Sequence, residues 1–288
     1  MKKAIHIAAL ALAILLATGF LLVSCDKKQA DSGKPVIAVS IVPEATFVRA
    51  VCGGLAEVVT LIPPGYSPEN YEPTPGDMMR FEEASLYFTI GVPAEAGILP
   101  HVPKSVKIVA LHEEVAEVYP ELTFASGDRD PHIWLSPKRV KVMIEVITRE
   151  LSLLDPDNAG VYSQNAAAYQ GQLEGLDSEI VSALEGVKNR KIIVYHPAFG
   201  YLAEDYGLTM YALEEEGKEA TAKRLAEMVE LARAENIKVI FYQEEIDNSQ
   251  SAAFAEEIGG VAIKLSPLAA DYIDNLKKMA ELLAEAMQ

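Results

Sequence analysis

Residues 191–213 read KIIVYHPAFGYLAEDYGLTMYAL. KIIVY is a short, continuous, β-branched apolar run, the pattern of a strand buried on both faces. It stops at His196, which Pro197 follows at once. TMYAL is the next such run. Beyond it, residues 221–235 read as a helix with Thr221 as cap, and 238–242 (KVIFY) as a strand. Residues 250–258 read as a helix closed by Gly259-Gly260, 261–265 as a strand, and 272–287 as a terminal helix. Strands alternating with helix-length segments point to a parallel sheet.

Upstream the same alternation recurs. VIAVSI (36–41) and EVVTLI (57–62) read as strands around a helix at 43–51, and the second runs into the loop signal Pro63-Pro64-Gly65. Thr74 caps a short helix with Pro75 in its first turn. Residues 86–90 and 106–109 read as further strands. A helix at 137–154 is broken by Asp155-Pro156-Asp157. From about 158 to 187 runs a helical pattern with Gly171, Gly175 and Gly186 as its weak points, long enough to span on the order of 45 Å. The expected fold is therefore α/β: two Rossmann-like lobes with parallel sheets, residues 35–155 and 189–288, joined by one long connecting α-helix within 156–188.

The N-terminus reads as a targeting segment. Lys2 and Lys3 precede an apolar run that ends at Leu22-Val23-Ser24-Cys25, and the small residues before the cysteine resemble a bacterial lipobox. The expectation is a signal peptide over 1–24, lipidation of Cys25, and a polar tether over 25–34. Cys52 is then the remaining cysteine, which excludes a disulfide framework, and it reads as a small buried hydrophobe. The formal charge of −17 disfavours nucleic acid and anionic membrane as partners.

Five histidines serve 288 residues, and two of them adjoin prolines in loops: His132 in DPHIWLSP (130–137) and His196 in YHPAF (195–199). Imidazole is the commonest side-chain ligand for transition metals. In open parallel sheets, ligands lie beyond the carboxyl ends of strands. His196 follows a strand, Glu69 and Asn70 lie in the loop after EVVTLI, and His132 precedes a helix. A site built from these residues falls between the lobes, with Glu69, His132 and His196 as candidate metal ligands. His101 and His112 lack such settings and read as structural or surface residues.

The segments SPENYEPTP (67–75), DPHIW (130–134) and YHPAF (195–199), with weaker matches in GKEAT (217–221) and FYQ (241–243), resemble the metal-binding substrate-binding lipoproteins of bacterial ABC transporters for zinc, manganese or iron. The resemblance covers residues 36–283. It implies a non-enzymatic, monomeric, lipid-anchored extracytoplasmic protein. Such a protein binds a divalent transition metal, zinc foremost with manganese or iron as alternatives, and delivers it to an ABC transporter permease. Two departures stand out. Glu69 occupies the position of the family's first histidine ligand, which hardens the site. The family's C-terminal acid falls near Ser266, where this chain has no carboxylate, so the fourth ligand is water, Gln243 or Glu244. Tyr71, Glu72 and Tyr195 read either as groups orienting the ligands or as packing. Trp134 reads as packing beside the site, and Glu214-Glu215-Glu216 as a solvated loop. Two other readings stay open: a zinc hydrolase using the same three residues, because two imidazoles and a carboxylate are a known catalytic set, and a metal-free, adhesin-like surface lipoprotein.

Overall fold

A computed structural model describes residues 33–214, 219–246 and 249–287. The leader, Cys25, Glu215 and Glu216 lie outside the described residues. Residues 35–288 form one compact unit. No helix among the described residues is long and apolar enough to cross a membrane.

The first lobe runs β1 (Val36–Val39), α1 (Val42–Cys52), β2 (Glu57–Thr60), α2 (Pro75–Phe81), β3 (Ala84–Thr89), α3 (Glu95–Ile98), β4 (Lys107–Ala110) and α4 (Leu111–Ala116). Its four strands pair in parallel in the order β2-β1-β3-β4. Two long helices follow, α5 (Pro137–Leu154) and α6 (Ala159–Ala183). The second lobe comprises β5 (Lys191–Val194), α7 (Gly200–Tyr206), β6 (Thr209–Ala212), α8 (Ala222–Ala234), β7 (Val239–Gln243), α9 (Ser249–Glu257), β8 (Val261–Leu265) and α10 (Tyr272–Ala286). Its strands are also parallel, in the order β6-β5-β7-β8. Each sheet thus repeats one topology, and its strand order reverses beside the first strand. The crevice at that reversal, outside the carboxyl ends, is where open α/β sheets bind ligands.

The 25 residues of α6 span about 37 Å and join the two sheets along the chain. The helix tolerates Gly171 and Gly175 but stops short of the expected 187, because Gly186 takes a left-handed φ of 78°. It packs against α1, α5 and α10. The terminal helix reaches back to the first lobe: Tyr272 meets Phe47 edge-on at 4.9 Å, and its hydroxyl donates to the Trp134 carbonyl. One hydrophobic core therefore runs through both lobes, from Val39 and Phe47 past Leu173 to Phe241 and Leu283. Cys52 is fully buried in it.

Candidate metal centre

Three segments converge beyond the strand ends. The first is the loop after β2. Its start is held by β1, with Leu61 N–H donating to Val39 and Ile62 N–H to Ser40. Its middle is pinned by Ala94 N–H to the Pro68 carbonyl at 3.0 Å. At its far end Thr74 caps α2, while Asp77 accepts from the Thr74 backbone and from the Tyr71 hydroxyl at 2.7 Å. Burial and that bond push the Tyr71 phenol up to about 12. Burial opposes ionisation of Asp77, yet the Thr74 and Tyr71 bonds hold its carboxyl below the usual range. Tyr71 thus braces the loop carrying Glu69, while Glu72 is exposed.

The second segment carries His132. Asp130 Oδ1 accepts from the His132 backbone N–H at 2.9 Å and from its Nδ1 at 2.8 Å. The carboxylate can only accept, so Nδ1 carries the proton and Nε2 presents a lone pair. Asp130 is itself fixed from the second lobe, because the Tyr201 hydroxyl donates to its carbonyl. A single 3-10 turn, Ile133–Leu135, then leads to Ser136, which caps α5. Trp134 packs 5.1 Å from the His132 ring, and its indole N–H donates to the Pro267 carbonyl.

The third segment leaves β5. Tyr195 N–H donates to Phe241 on β7, and His196 follows. Its Nδ1 lies 3.0 Å from Glu214 Oε2, so the same tautomer argument leaves its Nε2 free to donate a lone pair. The two histidine segments are also clamped together on their far side. Fully buried Arg139 donates to Asp205 and Glu204 on α7 at 2.9 Å each and stacks over Tyr201 at 4.4 Å. Ser136 donates to Asp205 as well.

The outcome is a three-atom cluster. His132 Nε2 and His196 Nε2 are 3.3 Å apart. Glu69 Oε1 lies 3.5 Å from the first and 3.8 Å from the second. It is shielded from solvent and has no hydrogen-bond partner. Two imidazole nitrogens and a carboxylate oxygen at this range can all donate to one cation placed between them. A tetrahedral zinc with bonds of about 2.0–2.1 Å has ligand–ligand edges of about 3.3–3.4 Å; the two histidine nitrogens match that edge, and Glu69 Oε1 lies slightly wider, at 3.5 and 3.8 Å. Glu69, His132 and His196 form the one group of three or more potential ligands found among the described residues.

The other candidates fall elsewhere. Glu244 is exposed and accepts from Lys264 at 3.0 Å. Strand alternation turns Gln243 inward, where it is buried with an unpartnered Nε2, and it is not among the residues lining the cavity beside Glu69. His101 is exposed. His112 sits against Arg129, and burial with that cation lowers its pKa to about 4. Sequence reasoning missed two groups that touch the candidate ligands. It treated Glu214 as part of a solvated acidic run, whereas it is buried against His196. It also assigned no role to Asp130, although the residue lay within a quoted motif. The position of Glu214, just past a strand end, was the available signal for it.

The chain matches the family of the zinc-uptake complex component A, periplasmic (ZnuA), over residues 37–286. It is 28% identical over 306 residues to the high-affinity zinc uptake system protein ZnuA of Bacillus subtilis, covering 95% of this chain and 96% of that one. It is 31% identical over 266 residues to the zinc-binding lipoprotein AdcA of Streptococcus pneumoniae, covering 86% of this chain and 53% of AdcA, so it spans about half of that longer protein. A crystal structure of ZnuA superposes with a TM-score of 0.84 at 35% identity, over 88% of this chain and all of the other.

Proposed function

The chain belongs to the ZnuA family of periplasmic zinc-uptake components, and from that premise we propose that it captures zinc outside the cytoplasm and passes it to an ABC transporter permease. In this reading Glu69, His132 and His196 hold the ion, with Asp130 and Glu214 setting their tautomers. The observation that carries it is the meeting of two imidazole Nε2 atoms and an unpartnered carboxylate oxygen within 3.3–3.8 Å. A carboxylate accepting from the far ring nitrogen of a metal-ligating histidine fixes the ring's orientation, which is the arrangement Asp130 and Glu214 give His132 and His196. The harder oxygen of Glu69 also admits manganese or iron. We further assign Cys25 as the lipid anchor and read the protein as a monomer that binds its cargo without turnover.

The test is calorimetric titration of the chelator-stripped full chain with zinc and with manganese, repeated in His132→Ala. One tight zinc site that disappears in His132→Ala is the expected result. Failure of the stripped wild type to bind either metal refutes the proposal, and ester or phosphate hydrolysis by the zinc-loaded protein would move it to the hydrolase class.

A further inference from the structure

In the second lobe the strand order reverses between β5 and β7, and two loop starts flank that crevice. Tyr195 and His196 leave β5, while Glu244 and Glu245 leave β7; the strands are bonded neighbours. Glu244 turns outward to Lys264. Glu245 instead faces a cavity of about 290 Å³ whose lining includes Glu69, Tyr195 and Glu214, that is, a ligand of the proposed centre and the acid that orients another.

The setting of Glu245 is unusual in one respect. Its Oε2 is shielded from solvent and has no hydrogen-bond partner among the described residues. Buried polar atoms without partners are rare, because each forfeits its hydration. Burial, with Glu244 alongside, also pushes the carboxyl upward. A cation supplies what this oxygen lacks. Three protein donors mark one face of a tetrahedron, and a structural-type zinc site takes four. Gln243 is the other unpartnered group on this strand end, but it is a neutral amide and does not line the cavity.

We propose that Glu245 is the fourth protein ligand of the metal cargo, rotating its carboxylate through the shared cavity onto the ion held by Glu69, His132 and His196. The inference rests on the three-residue reading above. It gives a two-imidazole, two-carboxylate set in which the acid following β7 does the work expected of a C-terminal acid near Ser266.

The experiment uses the full chain and compares wild type with Glu245→Gln, Glu245→Asp and His132→Ala. Zinc affinity is measured by competition, and the visible spectrum of the cobalt-loaded protein reports coordination. Metal-free thermal unfolding checks that each variant folds. The expected result is a zinc affinity lower by about 10- to 100-fold in Glu245→Gln, the range that loss of a metal-site partner produces, together with a changed cobalt spectrum. Glu245→Asp, one methylene shorter, loses affinity too, and carries the test if Glu245→Gln does not fold. Wild-type affinity and spectrum in both Glu245 variants, with binding abolished in His132→Ala, overturn the role of Glu245 and leave the three-residue centre standing. A loss of affinity with an unchanged cobalt spectrum also overturns it, since charge alone then accounts for the effect. Unchanged binding in His132→Ala refutes the underlying centre instead.

Discussion

Gly200→Ala is the substitution whose outcome best separates two physical effects. Gly200 opens α7 and has no left-handed φ, so helix propensity by itself favours alanine by up to about 1 kcal/mol. A Cβ there would lie 2.4 Å from Asp130 Oδ2, roughly 1 Å inside ordinary contact. Asp130 is almost wholly buried, and its other oxygen holds both the backbone and the Nδ1 of His132. Overpacking of this kind costs about 1–3 kcal/mol, which outweighs the propensity gain. Displacing the acid behind a metal-ligating histidine lowers affinity by about 10- to 100-fold, or about 1.4–2.7 kcal/mol. The chain has one tryptophan, and it packs on the His132 ring, so its fluorescence follows zinc titrations directly. The expected result is a weaker zinc site in Gly200→Ala. In the Asp130→Ala background the added methyl meets no carboxylate, so Gly200→Ala adds no further loss of affinity; the double-mutant cycle isolates the contact. Wild-type zinc affinity in the single Gly200→Ala variant refutes the coupling of Gly200 to His132 through Asp130.

Two further outcomes follow from the buried charges. Arg139→Met removes the cation between Asp205 and Glu204 and leaves Asp205 buried with Lys138 and Ser136 as its remaining partners. Breaking a buried pair from one side costs about 3–5 kcal/mol, so the urea midpoint should fall steeply, and a loss below about 1 kcal/mol contradicts the clamp. Glu44 is fully buried: burial first, and then the neighbouring Glu95, raise its carboxyl well above the usual range, although Ser40 and Ile41 N–H groups oppose the shift. The folded state keeps this proton above the pH at which the unfolded chain releases it, so stability falls as pH rises from the ordinary glutamate range toward the raised folded value. Glu44→Gln should therefore raise the thermal midpoint more at pH 8 than at pH 5, and an equal shift at both values counts against a protonated Glu44.

The local chemistry of the chain was enough to place its strands and longer helices, whereas the short helices α3, α4 and α7 were not read from it. Runs such as KIIVY and VIAVSI have one comfortable environment, a doubly covered parallel strand, and Thr74 and Thr221 cap their helices where the sequence puts them. The motifs placed Glu69, His132 and His196 at element ends, and loop chemistry there is short-range. Tertiary structure decided everything that depends on which strand ends are neighbours. Glu214 looked like one of three solvated acids until the pairing of β5 with β6 set it against His196. Glu244 and Glu245 are indistinguishable as a dipeptide, yet the exit angle from β7 sends one to Lys264 and the other into the cavity beside Glu69. The end of the connecting helix turned on the left-handed backbone at Gly186, whereas Gly171 and Gly175 lie within the helix. A sequence specifies what each residue can bond; the sheet order and packing bring groups distant in sequence close enough to act as one ligand set.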